Sequence, residues 1–170
     1  MSQSKLVLAS ASPRRLDLLA QIGIQPDLVS ASNLDETPKT GELPATYARR
    51  IAIAKAQTVA AKYDGIILAG DTVVACGRRI LPKAETVNTA SSCLRLLSGR
   101  QHRVYGGIAL ITADRRLFVR VACSNVKFRR LTGNDIADAL AAGDWQGKAG
   151  GYAIQGFAAR YIRKISGSYS

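Results

Sequence analysis

The stretch Leu6-Val7-Leu8-Ala9-Ser10-Ala11-Ser12-Pro13-Arg14-Arg15 determines how this chain begins to fold. It predicts a buried strand over 5–10, a short polar turn and a helix over 13–22. Pro13 fits the first helical position, where a missing N–H costs nothing. Ser12 fits the N-cap, where its hydroxyl can accept a backbone N–H. The stretch therefore predicts a strand–turn–helix unit at the start of the fold.

Arg14 and Arg15 stand where a helix usually carries acids. The N-terminus of a helix bears a partial positive charge, so each cation there costs roughly 0.3–1 kcal/mol. Backbone N–H groups together with two guanidiniums form an anion site, most naturally for phosphate. The alternative is a pair of solvated arginines on a surface helix, and this stretch alone does not decide between the two.

Composition indicates one globular domain over residues 1–170, with 47% apolar and 21% charged residues. We expect no secretory signal and no membrane-spanning segment, because no apolar run approaches the ~20 residues that a bilayer requires. Three widely spaced cysteines favour reduced thiols in the cytoplasm over a disulfide framework or a zinc site. His102 is the single histidine, which excludes a multi-histidine metal centre.

The net charge of +12 indicates an anionic ligand, such as a nucleotide or a nucleic acid. However, the 24 basic residues are spread along the chain, and aromatic residues make up only 6% of it. Aromatic side chains are the usual platforms for stacking bases. The charge therefore indicates an anionic partner more clearly than it indicates a nucleic acid, which we do not expect to be the partner.

Hydrophobic spacing predicts the remaining elements. A loop or frayed edge strand is expected over 25–42, and a glycine-rich loop over 143–151. The helices are expected at 44–62, 86–98 and 134–142, and the strands at 66–70, 73–76, 103–112, 117–128 and 157–165. Asp71-Thr72 is expected to interrupt the apolar run between 66–70 and 73–76, and a hairpin turn is expected near Asp114. The pattern indicates a mixed, partly antiparallel α/β sheet flanked by helices.

Asp71 is the strongest single candidate for chemistry. It lies between two apolar runs, where an unpaired carboxylate is costly, so such a residue is usually paired, metal-bound or catalytic. The alternative is a strand-end turn beside Gly70. Asp35-Glu36 is either a solvated turn or, with Asp71, a site for a divalent ion.

Two lysines and one glycine-rich segment are weaker candidates. Lys55 and Lys83 could neutralise phosphate, although lysines with apolar neighbours more often extend to the surface. The segment 143–156 holds five of the 15 glycines but matches no phosphate-loop or dinucleotide motif. Within it, Trp145 is either an exposed lid or a core anchor. His102 without a partner is a poor candidate for a general base.

Seven ordered segments together resemble the Maf family of nucleoside-triphosphate pyrophosphatases, first associated with septum formation. They are Leu-Ala-Ser-Ala-Ser-Pro-Arg-Arg (8–15), Asp-Glu (35–36), Ala-Lys-Ala (54–56), Gly-Asp-Thr-Val-Val (70–74), Ile-Leu-Pro-Lys (80–83), Leu-Ser-Gly-Arg-Gln-His (97–102) and Lys-Ala-Gly-Gly-Tyr-Ala-Ile-Gln-Gly (148–156). Each segment alone is a weak signal, but their order over nearly the whole chain is specific.

The resemblance implies an inosine-triphosphatase-like fold that hydrolyses a nucleoside triphosphate between its α and β phosphates. Asp71 matches the family's proton acceptor, and Glu36, Lys55 and Lys83 match its other charged active-site positions. Glu36 and Asp71 would hold a divalent cation, Mg²⁺ or Mn²⁺. The lysines and Arg15 would offset charge on the phosphates. Ser10, in the first motif, is carried over as a substrate-binding residue.

The resemblance also implies a substrate branch. Arg14, Thr72 and Gln155 match the arginine, threonine and glutamine of the branch acting on dTTP and UTP. A glutamine amide can pair with O4 and N3–H of a pyrimidine at once. The branch acting on 7-methyl-GTP inserts a tryptophan after the first proline, and this chain has none there. The alternatives are a 7-methyl-GTP enzyme of the same fold and a non-enzymatic module that binds nucleic acid or a cell-division partner.

Two departures from the family pattern affect these expectations. Leu81-Pro82-Lys83-Ala84 stands where the family usually has Leu-Gly-Lys-Pro, so we expect a stiffer loop around Lys83. The sequence ends at 166–170, where relatives usually continue with Gly-Leu-Pro and a closing helix. That difference leaves two alternatives, a truncated chain or a homodimer whose partner subunit covers the core, and predicts reduced stability or dependence on dimerisation.

Overall fold

The computed structural model describes residues 4–170, in which short helices alternate with strands. The helices are α1 (Pro13–Gln21), α2 (Pro44–Ala60), α3 (Val87–Leu97) and α4 (Gly133–Ala142), with a 3-10 helix at Phe157–Tyr161. The strands are β1 (Leu6–Ala9), β2 (Leu28–Val29), β3 (Ile66–Cys76), β4 (Arg79–Ile80), β5 (Lys83–Ala84), β6 (Gln101–Ile111), β7 (Leu117–Phe128), β8 (Lys148–Ala149) and β9 (Ile162–Ser166). Over this described part of the chain, no helix combines the length and apolarity needed to cross a membrane.

The main sheet contains strands of both directions. Its order is β2-β1-β3-β6-β7-β9, and β4 pairs with β3. β1 runs parallel to β2 and β3, whereas β7 and β9 are antiparallel. β5 and β8 form a separate antiparallel pair. The predicted mixed, partly antiparallel sheet is confirmed.

The chain folds into two compact units. Residues 4–71 and 106–121 belong to the first unit, and residues 72–105 and 122–169 belong to the second. Strands β3, β6 and β7 therefore supply residues to both units. Each unit has an apolar core of its own. The expectation of a single domain over 1–170 stays a prediction.

The core of the first unit packs α2 closely against the sheet. β1 and β3 contribute small and branched side chains, and α2 contributes mainly alanines. At Gly107 of β6, a Cβ atom would collide with the backbone carbonyl of Ala48 on α2, so only glycine fits there. This close approach allows polar side chains of α2 to reach those of neighbouring strands.

The core of the second unit contains larger side chains than the core of the first. Leu94 and Leu97 of α3, Phe128 of β7 and Tyr161 are all at most 1% exposed. Thr86 and Thr132 cap α3 and α4, and Thr132 and Asp135 form a reciprocal capping box. These caps satisfy N–H groups that a helix leaves unpaired at its first turn.

Two predictions about the first half of the chain are wrong in detail. Ser12 occupies the N-cap of α1 but makes no side-chain capping bond; instead Ser10 Oγ accepts the N–H of Ser12 at 3.2 Å. β3 continues through Asp71 and Thr72, where an interruption was expected. The strand tolerates a buried carboxylate because Asp71 has a cationic partner at 2.7 Å.

The predicted strand over 157–165 is also wrong at its start. Phe157–Tyr161 form a 3-10 helix, and β9 begins only at Ile162. Ala158 and Tyr161 are both buried and three residues apart, which is the repeat of a 3-10 helix and not of a strand. The glycine-rich loop also contains the two-residue strand β8.

Candidate active site

Asp71 lies in the middle of β3 and is 4% exposed. Its Oδ1 accepts a hydrogen bond from Nζ of Lys55, on α2, at 2.7 Å. The Lys55 side chain is itself only 8% exposed, so the alternative of a surface lysine is wrong. A buried carboxylate and a buried ammonium are tolerated together because each compensates the charge of the other.

Glu36 brings a second carboxylate to the same ammonium. Its Oε1 lies 2.9 Å from Nζ of Lys55, and its side chain is 25% exposed. Glu36 belongs to the loop before α2, where its backbone carbonyl accepts the hydroxyl of Tyr47 at 2.6 Å. Glu36, Lys55 and Asp71, called the charged trio below, thus meet within the first unit.

The trio influences its neighbours electrostatically. Burial, followed by the negative charges of Asp71 and Glu36, raises the pKa of Tyr47 to about 12. Burial lowers the pKa of the Arg15 guanidinium, and the attraction of Asp71 opposes that shift. Arg15 and Tyr47 therefore both lie within the field of the trio.

The first-motif residues Ser10 and Arg15 lie together. Ser10 is buried, and its Oγ accepts a hydrogen bond from Nη1 of Arg15 at 2.6 Å. A Cβ atom at Gly70, next to Asp71, would lie 3.0 Å from Nε of Arg15, so the glycine gives the guanidinium room. Arg14 lies half-buried in the first turn of α1. The phosphate site expected at this helix start stays a prediction.

The loop that carries Glu36 is fastened by an ion pair that the sequence pattern did not reveal. Arg50 of α2 donates from Nε and Nη2 to the two carboxylate oxygens of Glu42, both at 2.7 Å, and from Nη2 to the carbonyl of Thr37 at 3.2 Å. The hydrogen bonds from Arg50 are the main cause that lowers the pKa of Glu42 to about 2.

Three further site residues predicted from the sequence, Thr72, Lys83 and Gln155, lie in the second unit. Lys83 is in β5, opposite Ala149 of β8. Gly150 N–H donates to the carbonyl of Pro82 at 3.0 Å, which fastens the residue before Lys83 to the glycine-rich loop. Thr72 and Gln155 are exposed, Thr72 in β3 and Gln155 just before the 3-10 helix.

His102 and Trp145 are both buried, and their contacts indicate structural roles. Burial lowers the pKa of His102 to about 4, and its Nε2 shares a hydrogen bond with the hydroxyl of Tyr152 at 2.6 Å. Trp145 is 5% exposed, and its Nε1 donates to the carbonyl of Leu140 at 2.9 Å. Trp145 is thus a core anchor rather than a lid.

The donor set of the trio fits a magnesium-type ion. Mg²⁺ binds proteins through one or two carboxylates and takes its other ligands from water and substrate phosphates. Glu36 and Asp71 supply two such carboxylates, since both reach one ammonium within 3 Å. Among residues 4–170, no group of three or more His, Cys, Asp or Glu side chains forms a metal cage. A site completed by substrate is therefore the kind that these residues can make.

Comparison with known proteins places this arrangement in a family. The family model described as "Maf-like protein" matches residues 5–170. A "dTTP/UTP pyrophosphatase" of Paramagnetospirillum magneticum is 62% identical over 166 residues, which cover 97% of this chain and 87% of that protein. A protein of the same name from Rhodospirillum rubrum is 58% identical, covering 99% of this chain and 81% of its own length.

Solved structures share the fold at much lower identity. The Ham1 protein of Staphylococcus aureus superposes with a TM-score of 0.51 at 16% identity, covering 73% of this chain and 71% of that one. A HAM1 protein from Coxiella burnetii gives a TM-score of 0.50 at 16% identity, covering 76% and 75%. The expected Ham-like architecture is confirmed.

Proposed function

The chain belongs to the Maf family, and from this membership we propose that it hydrolyses dTTP and UTP to the monophosphate and pyrophosphate. Two relatives named dTTP/UTP pyrophosphatase are 62% and 58% identical along nearly all of the chain. The observation that carries the proposal is the charged trio, in which the buried carboxylate of Asp71 lies beside the buried ammonium of Lys55. Modified uridine triphosphates belong to the same substrate class.

Asp71 is the proposed general base. An ionised carboxylate only accepts hydrogen bonds, which is the property needed to orient a water and take its proton. The water oxygen bonds to the α-phosphorus while the bond from that phosphorus to the bridging oxygen breaks. Asp71 receives the proton of the water, and pyrophosphate leaves with the bridging oxygen.

Cationic side chains are the proposed stabilisers of the phosphates. Lys55 holds Asp71 and Glu36 in place, and its ammonium adds positive charge at the same point. Arg15, held by Ser10, would bind phosphate oxygens with the N-terminus of α1. Lys83 is assigned to the same task by its motif. Such electrostatic stabilisation is usually the largest part of catalysis in phosphoryl chemistry.

Glu36 and Asp71 would hold the divalent cation, Mg²⁺ or Mn²⁺. When bound, such an ion supplies charge neutralisation and orientation of phosphate oxygens. The chain's own contribution is to fix the two carboxylates: Lys55 holds both of them, and the Glu42–Arg50 pair fastens the loop around Glu36.

Arg14, Thr72 and Gln155 are the proposed specificity residues. The Gln155 amide can accept from N3–H and donate to O4 of uracil or thymine. Thr72 and Gln155, which belong to the second unit, are exposed and therefore accessible to a ligand. We place the activity in the cytoplasm, where its nucleotide substrates are found and its cysteines stay reduced.

The direct test is product analysis with Mg²⁺ or Mn²⁺ and dTTP, UTP, CTP, GTP and 7-methyl-GTP. We expect dTMP or UMP with pyrophosphate, and loss of both products in Asp71→Asn. Nucleoside diphosphate with phosphate would contradict the cleaved bond, and preference for 7-methyl-GTP would contradict the branch. A folded protein that turns over none of them would favour the binding module, whose affinity for nucleic acid falls steeply with salt.

A further inference from the structure

We propose that two hydrogen bonds of the second unit, His102–Tyr152 and Asp144–Phe157, anchor the loop segment that carries Gln155. His102, Tyr152 and Asp144 are then positioning residues for recognition of the pyrimidine. The inference rests on the proposed function, because it assumes that Gln155 reads the base. Gln155 follows Tyr152 by three residues and precedes Phe157 by two.

The first anchor is a polar pair inside an apolar core. Nε2 of His102 and the hydroxyl of Tyr152 lie 2.6 Å apart, and the two residues are 2% and 6% exposed. Their rings pack edge to face on each other and on Phe128, with centroids 5.0–5.5 Å apart. Apolar side chains could fill this space equally well. The hydrogen bond of the polar pair therefore fixes the position of Tyr152 more than it adds buried area.

The second anchor lies on the other side of Gln155. Oδ2 of Asp144 accepts the backbone N–H of Phe157 at 2.6 Å. A Cβ atom at Gly156 would collide with that carboxylate, so the backbone lies directly against it. The N–H of Gly156 donates to the carbonyl of Ala153 at 3.1 Å, which closes the turn containing Gln155.

The approach to the first anchor is also fixed. Gly150 and Gly151 have φ of +68° and +70°, a conformation that favours glycine. A Cβ atom would lie 2.8 Å from Val74 at Gly150 and 3.1 Å from Ala90 at Gly151. The backbone entering Tyr152 therefore packs tightly against β3 and α3.

The orientation of the Gln155 amide matters because its oxygen accepts hydrogen bonds and its NH2 group donates them, while the two ends have nearly the same shape. Turned over, the same amide pairs with the amino group and N3 of cytosine as well as it paired with O4 and N3–H of uracil. Discrimination between the two bases therefore depends on a defined orientation. The loop anchors supply the backbone frame from which the exposed Gln155 side chain extends.

The test compares Tyr152→Phe with Tyr161→Phe. Tyr161 is a matched control because it is 1% exposed in the same core and its hydroxyl donates to the carbonyl of Asp135 at 2.6 Å. For Tyr152→Phe we expect the ratio of kcat/KM for dTTP to that for dCTP to fall about tenfold, mostly through KM, with kcat within about threefold. The double variant His102→Leu/Tyr152→Phe should regain thermal stability without regaining the ratio.

A second readout does not depend on activity. Backbone amides over 153–157 should exchange hydrogen at least about tenfold faster in Tyr152→Phe than in Tyr161→Phe. Unchanged exchange and an unchanged substrate ratio in folded Tyr152→Phe, or equal changes in the control, would overturn the proposed anchor. Faster exchange in a protein that hydrolyses no dTTP would keep the anchor and overturn the proposed function.

Discussion

The two units of this protein bury polar groups in opposite ways. The first unit encloses charges, with Lys55 between Glu36 and Asp71. The second unit encloses a neutral pair, His102 and Tyr152, within an aromatic cluster. Both arrangements cost desolvation, but the first brings together two carboxylates, which are the kind of group that binds a divalent ion.

The difference indicates a division of tasks. Buried charges are costly unless paired, so a fold that keeps three together in one place retains them for chemistry more than for stability. A neutral buried hydrogen bond contributes little net free energy but fixes one arrangement. We infer that the first unit holds the proposed general base, Asp71, and the second holds the loop that carries Gln155.

Lys55→Met tests the charged side most severely. Glu36 and Asp71 would lose the ammonium that pairs with both of them, so we expect the free energy of unfolding to fall by about 3 kcal/mol and kcat to fall at least ~100-fold. Urea unfolding and steady-state kinetics with dTTP measure both. Lys62→Met, at an exposed lysine just beyond α2, should change neither. A loss below about 1 kcal/mol would mean that the trio is not a coupled unit.

Acid tests the neutral side. The imidazole of His102 has an ordinary pKa of 6.5 and a folded pKa of about 4. Below pH 6.5 the unfolded chain therefore binds more protons, so stability is full above that pH and is lost as the pH falls toward 4. We expect a loss of about 2 kcal/mol between pH 7 and pH 5.

The sequence makes this measurement clean, because His102 is the single histidine. Urea unfolding of His102→Leu should lack most of the pH dependence between 7 and 5. The contribution of Glu42, with its pKa lowered from 4.5 to about 2, is lost only as the pH falls below 4.5. The same slope in His102→Leu and in the unaltered protein would show that the imidazole is not the titrating group.

Arg50→Met is expected to loosen the loop that carries Glu36 while leaving all three side chains of the trio in place. Loss of the bidentate pair with Glu42 frees the loop that carries Glu36, so we expect kcat/KM to fall about tenfold and stability to fall by about 1.5 kcal/mol. The adjacent, exposed Arg49 offers a matched control as Arg49→Met. Equal effects of the two substitutions would point to general loss of positive charge instead.

Thr132→Ala is expected to have the smallest effect. It removes one side of the capping box of α4 and should cost about 1 kcal/mol in thermal or urea unfolding. Because α4 carries none of the proposed site residues, kcat/KM for dTTP should stay unchanged. A change in the dTTP-to-dCTP ratio would show that selection in the second unit depends on more than the anchored loop.

Local signals in the sequence predicted much of the fold. Pro13 and Pro44 do begin helices, and Gly143 ends α4 in a left-handed conformation. These features depend on a few neighbouring residues, so they are legible without tertiary structure. The 3-10 helix at Phe157–Tyr161 could not be predicted in this way. A five-residue helix is too short for its spacing of apolar residues to be distinguished from the alternation of a strand.

The sequence singled out Glu36, Lys55 and Asp71, which the structure brings together, but it did not reveal their contacts. Apolar runs on both sides of Asp71 indicated a buried carboxylate that needs a partner. Nothing local identified Lys55, sixteen residues away on another element, as that partner. The Glu42–Arg50 pair depends on the path of an irregular loop, which carries no periodic signal. The catalytic, metal-binding and substrate-binding roles of all the site residues stay predictions.

The most direct measurement of the division of tasks is kcat for dTTP and dCTP in Asp71→Asn, with folding checked by circular dichroism. We expect kcat for both substrates to fall by a common factor of at least ~10³, with their ratio preserved. An enzyme that keeps kcat within tenfold of the unaltered protein would contradict the assignment of the chemistry to the charged trio.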